Sequence, residues 1–227
     1  MLFHDLRRLV RKGEGQTLEF KLKTSHPEKI VKEIVAFANS DGGTLLLGIR
    51  DDLTIKGLKF PQEDEYVMNK AIDKYCYPPI NYKLEKIPIE GNREVLAYTI
   101  PASDKGPHRV VEGDKPNQGK VYVRVDHESI IAGKEMREFL KGRRKKRELR
   151  FQYGKKEEVL MKYLDLHQEI TVQQFAETAE IPRRVASRTL VLLVLAKVLQ
   201  IYPQASKEDS FGMWESDEQR DAISYLD

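Results

Sequence analysis

One cysteine in 227 residues leaves no partner for an intrachain disulfide, and no Cys/His cluster shows zinc-ligand spacing. Stability must therefore come from packed cores. No apolar run approaches the roughly 18 residues that a membrane-spanning helix needs. The opening MLFHDLRRLVRKGEG also lacks the unbroken apolar core of a signal peptide. Both absences predict a cytoplasmic protein with no membrane partner. A GxxxxGKS/T phosphate loop is missing, so the paired glycines of NSDGG (39–43) read as a positive-φ turn and not as a nucleotide cradle. GxSxG and Cys/His nucleophile contexts are missing too, which leaves acyl transfer without a foothold. His4, His26, His108, His127 and His167 are scattered and read as structural or solvated.

The net charge is small, +3, but it is unevenly spread. Residues 141–150 (KGRRKKRELR) carry seven Lys or Arg against one acid, a local +6 that leaves −3 for the rest of the chain. A partner-directed charge concentrated in one short segment points to a polyanion, and a solvated helix end is the alternative.

Periodicity divides the chain in two. Residues 2–12 place Leu2, Leu6, Leu9 and Val10 at helical spacing with Arg7, Arg8, Arg11 and Lys12 between them. TLEFKL (17–22) alternates as a strand with Leu18, Phe20 and Leu22 on one face, Glu19 and Lys21 on the other. Pro27 opens an amphipathic helix to residue 39, and TLLLGI (44–49) is apolar on both faces, as a central strand is. A helix over 62–76 follows, then strands over 80–87 and 94–100 around the hairpin turn Glu90-Gly91-Asn92-Arg93. A long loop spans 101–119. KVYVRV (120–125) is a further strand that buries Val121, Val123 and Val125 and exposes Tyr122 and Arg124. A helix over 133–153 runs into the basic stretch. Three helices follow, over 155–167, from a Thr171 cap to Ala179, and from Pro182 to about Val198, with a hairpin over 198–215. The fold class is α+β: a mixed sheet-and-helix domain over 1–135, a basic helical connector over 136–154, and a mainly α winged helix-turn-helix domain over 155–227.

The densest chemical constellation is acidic. Glu14 and Glu19 flank a turn into a strand, and Asp51 and Asp52 end a neighbouring one. Carboxylates converging there would suit Mg²⁺ or Mn²⁺, since hard cations take carboxylate oxygens plus water and substrate phosphate. Acids in turns also cap helices and pair with lysines, and spacing alone does not choose between these roles.

EGQTLEFK (14–21), AFANSDGGTLLLGIRDD (36–52), Gly57 and VYVRV (121–125), in this order, resemble the Schlafen-type AlbA-like domain over about residues 5–135. The resemblance implies an α+β fold and nucleic-acid binding. In many bacterial members it also implies a C-terminal winged helix and a transcriptional-regulator role. Some Schlafen proteins are metal-dependent endoribonucleases with an ExxxxE pair and a following Asp, and Glu14, Glu19 and Asp51 match that pattern. Those nucleases clamp substrate between two related lobes; this chain has one, so a clamp here would need a homodimer.

Three functions stand side by side. The first is a DNA-binding transcriptional regulator, acting as a homodimer and not as an enzyme. In its first domain Lys21, Lys23, Arg109, Lys120 and Arg124 would meet phosphates and Tyr122 would stack. The connector adds Arg143, Arg144, Lys145, Lys146 and Arg147. Arg183, Arg184, Ser187 and Arg188 open the recognition helix. The second is a Mg²⁺- or Mn²⁺-dependent ribonuclease on Glu14, Glu19 and Asp51, which metal-dependent cleavage would reveal. The third is a protein-interaction module, with salt-insensitive or absent DNA binding as its mark.

Overall fold

A computed structural model describes residues 1–112, 115, 118–144, 153–205 and 207–214, and the chain divides into two units, Met1–Ala132 and Gly133–Asp227. The first unit runs α1 (Phe3–Lys12), β1 (Leu18–Lys21), α2 (Pro27–Asn39), β2 (Gly43–Leu47), α3 (Pro61–Tyr75), β3 (Cys76–Tyr77), β4 (Lys83–Ile89), β5 (Arg93–Ile100), β6 (Arg109–Val111), β7 (Gly119–Lys120), β8 (Tyr122–Val125) and β9 (Glu128–Ile131).

Strand β2 is apolar on both faces because it is interior. Its sheet has the order β1-β2-β5-β4, with β1 parallel to β2 and the other pairs antiparallel. Leu45 and Leu47 enter one core with Ile34 and Phe37 of α2 and Met68 and Ile72 of α3. Leu46 enters a second core on the opposite face with Phe20, Ile87 and the buried Leu6 and Val10 of α1. Burying a side chain of this size contributes roughly 1.5–3 kcal/mol, so a polar residue has no place at Leu45, Leu46 or Leu47; Thr44, nearer the start of the strand, is only partly buried. The β4–β5 hairpin turns at Gly91 and Asn92, with φ of 75° and 55°, the left-handed conformation these two residue types tolerate.

The second unit runs α4 (Lys134–Arg144), α5 (Lys155–His167), β10 (Glu169–Thr171), α6 (Val172–Thr178), α7 (Arg183–Leu195), β11 (Leu199–Tyr202) and β12 (Ser210–Met213). Its sheet has the order β10-β12-β11, antiparallel throughout. Leu160, Leu164, Phe175, Leu190, Leu193 and Phe211 fill the core between helices and sheet. Thr171 caps α6 by accepting from the Gln174 N–H at 3.2 Å, while the Gln174 side chain accepts from the Thr171 N–H at 2.8 Å.

Several expectations change. The stretch 101–119 holds β6 and the first residue of β7, short strands whose three or fewer residues give no readable alternation. Strand β9, unforeseen, pairs with β8, and β10 completes the second sheet. The helix expected over 133–153 ends at Arg144 among the described residues and packs on α7; 145–152 lie outside them. Leu166 of α5 is exposed, because it lies about 200° around the helix from the buried Leu164.

Asp209, just before β12, is 3% exposed and accepts from the Gln204 N–H at 3.3 Å and from the Met136 N–H in the first turn of α4. Burial raises its carboxyl pKa above the ordinary 3.8, and the charge of Glu135 adds to the rise. With the folded pKa above the unfolded one, the favourable contribution is complete below about pH 3.8 and is lost as pH climbs through the folded value. Asp209→Asn removes that charge. The variant is expected to gain thermal stability relative to wild type at pH 7 and to show a flatter stability profile across the acidic range. Equal slopes for the two proteins in melts from pH 4 to 7 would refute this.

Candidate nucleic-acid interface and acidic cleft

Strand β1 is a sheet edge, and its outward backbone groups would be exposed templates for pairing. Its neighbour β2 takes the inward ones: the Thr44 N–H donates to Thr17 O and the Gly48 N–H to Lys21 O, both at 2.8 Å. Leu18 and Phe20 point the other way. Leu18 exchanges two hydrogen bonds with Gly15, the Phe20 N–H donates to Glu14 Oε1 at 2.8 Å, and Phe20 O accepts from Lys21 Nζ at 2.9 Å. The edge is thus closed by the residues of the EGQTLEFK block itself.

Arg124 completes the closure. Its guanidinium pairs with Glu19 at 2.7 Å and with Glu33 of α2 at 2.9 Å, and it donates to Gly15 O at 3.0 and 3.1 Å and to Leu18 O at 3.3 Å. The Phe37 ring lies 5.1 Å below the cation. At 3% exposure Arg124 cannot reach a phosphate, which corrects the expectation that β8 turns it to solvent. The alternation of VYVRV places Arg124 opposite the valines, but that second face is covered by α2 and β1, whose two acids neutralise the charge. Glu19 is 4% exposed for the same reason, so β1 is buried on both faces.

The acids expected to hold a metal do not fit one. Glu19 is held by Arg124 and also pairs with Lys21, and one Glu14 oxygen is taken by the Phe20 N–H. Asp51 lies exposed in the turn after β2. Among the described residues no group of three His, Cys, Asp or Glu could hold a metal ion, so no Mg²⁺ or Mn²⁺ step follows from this arrangement. Glu14 itself has a raised pKa, through partial burial of the carboxyl first and the adjacent Glu19 charge second, against the opposing Phe20 hydrogen bond. It lines a cleft of 460 Å³ together with Lys12, Gln16, Thr17, Asp41 and Thr44. Gln16 spans one wall, donating to Asp41 at 3.2 Å and to Arg124 O at 3.3 Å.

The predicted nucleic-acid contacts separate into three groups. Lys21 is engaged by Glu19, Lys120 pairs with Glu112 at 2.9 Å, Arg109 is half-buried on β6, and Tyr122 packs against the first core. Lys23 is exposed, as is Arg144; Arg143 lies over the Phe139 ring. Lys145, Lys146 and Arg147 lie outside the described residues. On α7, Arg184 and Arg188 are exposed and Arg183 pairs with Glu208 at 2.6 Å. Ser187 is buried and donates to Glu135 Oε1 at 2.7 Å, which removes it from the DNA-facing set; α4, packed on α7, supplies that acceptor. Val185 is exposed beside the two arginines. Sequence reasoning passed over the cations of α1, although their helical spacing was the available signal.

A four-stranded mixed sheet with helices on both faces, followed by a helical unit with a small antiparallel sheet, defines an α+β protein with an AlbA-like first unit. The chain belongs to the Schlafen, AlbA_2 family, which matches residues 14–132. Two solved structures resemble it: the N-terminal domain of a RecG-related protein from Nitrosomonas europaea, and the DIP2311 protein from Corynebacterium diphtheriae. The first is 20% identical with a TM-score of 0.39, over 52% of this chain and 86% of that one. The second is 19% identical with a TM-score of 0.37, over 53% of this chain and 26% of that one. No curated protein matches the chain. Among the described residues no helix is long and apolar enough to cross a membrane.

Proposed function

We propose that this protein binds duplex DNA through its second unit and serves as a transcriptional regulator. The observation that carries the reading is the two-sided character of α7. Ala186, Leu190 and Leu193 are buried in the core, while Arg184 and Arg188, one helical turn apart, face solvent in its N-terminal half. The order α5, β10, α6, α7, β11, β12 and the four residues between α6 and α7 support a winged helix-turn-helix assignment, with β11 and β12 as the wing. Membership of the Schlafen, AlbA_2 family supports a nucleic-acid partner. In this reading docking is mainly electrostatic, Arg184 and Arg188 supply donors to phosphates and base edges, and Ser187 holds α7 on α4. A homodimer would present two copies of α7 to half-sites about one helical turn apart.

The test is fluorescence anisotropy with duplex DNA over a salt series. Arg184→Ala/Arg188→Ala is expected to weaken binding and to make the slope of log K against log salt shallower by about 2, since each phosphate contact contributes about 0.9. No binding by the wild type, or an unchanged affinity and slope in the variant, would overturn the proposal.

A further inference from the structure

From the outer face of α1 we infer a second DNA-contacting surface, one that grips the phosphate backbone from the first unit; the inference rests on the duplex-binding reading above. The helix carries Arg7, Arg8, Arg11 and Lys12 against a single acid, Asp5, a net charge of +3 in ten residues. At about 100° per residue, Arg7, Arg11, His4, Arg8 and Lys12 fall in that angular order within about 140° of arc, and from His4 to Lys12 the face is about 12 Å long. All five side chains are exposed. Arg8, 74% exposed, reaches Asp5 at 3.4 Å, and Asp5 also has His4 at 3.1 Å. Among the described residues Arg7, Arg11 and Lys12 form no ion pair.

Two features of this face argue for a polyanion. Arg7 with Arg11 and Arg8 with Lys12 are like-charge pairs at i, i+4, which repel within an isolated helix, so the arrangement costs the fold. The helix dipole rewards cations only in the last turn, which accounts for Arg11 and Lys12; Arg8 has Asp5 one turn back, and Arg7 is left with neither. A row of cations in excess over its one acid is what releases counterions when it meets phosphates. Basic amphipathic helices also lie on anionic membranes, but that mode needs a free apolar face. Leu6 and Val10, the centre of this one, are buried against the sheet at 0% and 3% exposure. Duplex DNA asks only for the cations. Lys12 also lines the 460 Å³ cleft, so the basic face runs up to the Glu14 turn.

The experiment uses the full chain, with two duplexes of unrelated sequence and, separately, phosphatidylserine vesicles. Arg7→Ala/Arg11→Ala is expected to lose about tenfold or more in affinity at low salt, equally for both duplexes, with a salt slope shallower by about 2. Arg7→Lys/Arg11→Lys is expected to keep the slope and to melt like wild type, and the alanine variant should melt no lower than wild type, because the side chains are exposed and their mutual repulsion is removed. If the wild type binds DNA and the alanine variant binds with unchanged affinity and slope, the α1 surface is refuted while the α7 reading stands. If the wild type binds neither duplex, the α7 reading fails and takes this one with it. Vesicle capture that the alanine variant loses, with DNA binding unaltered, would overturn the proposal in favour of a membrane surface.

Discussion

Replacing Arg124 with alanine is expected to destabilise the protein by about 3–5 kcal/mol, the cost of breaking a buried ion pair by removing one partner. The substitution takes the shared cation from two buried acids: Glu33 and Glu19, the latter left with Lys21 at the strand edge. It also removes donors to the Gly15 and Leu18 carbonyls, so the turn that closes the edge of β1 loses its anchor. Arg124→Lys should recover little, because one ammonium cannot span two carboxylates and two carbonyls in the plane that a guanidinium provides. Adding Glu19→Gln and Glu33→Gln to the alanine variant should return part of the loss by removing the stranded charges. Urea denaturation monitored by circular dichroism measures all of these. A loss below about 1 kcal/mol for Arg124→Ala, the scale of a surface pair, would refute the assignment of Arg124 as the buried tie between β8, α2 and β1.

Asn39→Ala should be nearly as damaging, at about 3 kcal/mol or more. Asn39 ends α2 and begins the NSDGG block, and its side chain is engaged in a bridge to two distant segments. Its amide donates to His108 O at 2.9 Å and Tyr122 O at 2.8 Å, and its Oδ1 accepts from the His108 N–H at 2.8 Å. His108 is fully buried, so alanine leaves its backbone N–H without that acceptor and without water, at about 1–3 kcal/mol for each buried group so abandoned. Asn39→Asp keeps the acceptor but loses both donors and buries a charge, and is expected to be no milder. Hydrogen exchange at the His108 amide is the specific readout. Unchanged protection in the alanine variant would show that the bridge does not hold the His108 loop.

Asn39 and Gly42-Gly43 were legible as a helix-to-strand junction, and the junction is there; the bridge made by the Asn39 amide depends on His108, 69 residues away, and on Tyr122, 83 away. Arg124 was legible as the residue opposite Val123 and Val125, but not as buried. Lys21 and Glu19 were assigned to an outer face that proved to be an inner one. On α7 the arginines at 184 and 188 stand in solvent as their spacing implied, whereas Ser187 between them turns to Glu135, 52 residues earlier.

Local periodicity determined most of what could be read directly. Leu45–Leu47 of β2, the apolar face of α2, the Gly91-Asn92 hairpin, the Thr171 cap and helices α5, α6 and α7 all follow from side-chain spacing and backbone preference. These act between residues a few positions apart, so the sequence by itself carries them. The fate of each polar face was decided by tertiary structure alone. Whether a lysine, arginine or glutamate meets solvent, a partner or a buried counter-charge depends on which distant segment packs on it. Arg124 meets Glu33 across 91 residues and Gly15 across 109, and no local pattern encodes such a meeting. That is also why the cations on the strands are largely engaged within the fold, while those of α1, one wall of a helix whose other wall is core, remain in solvent.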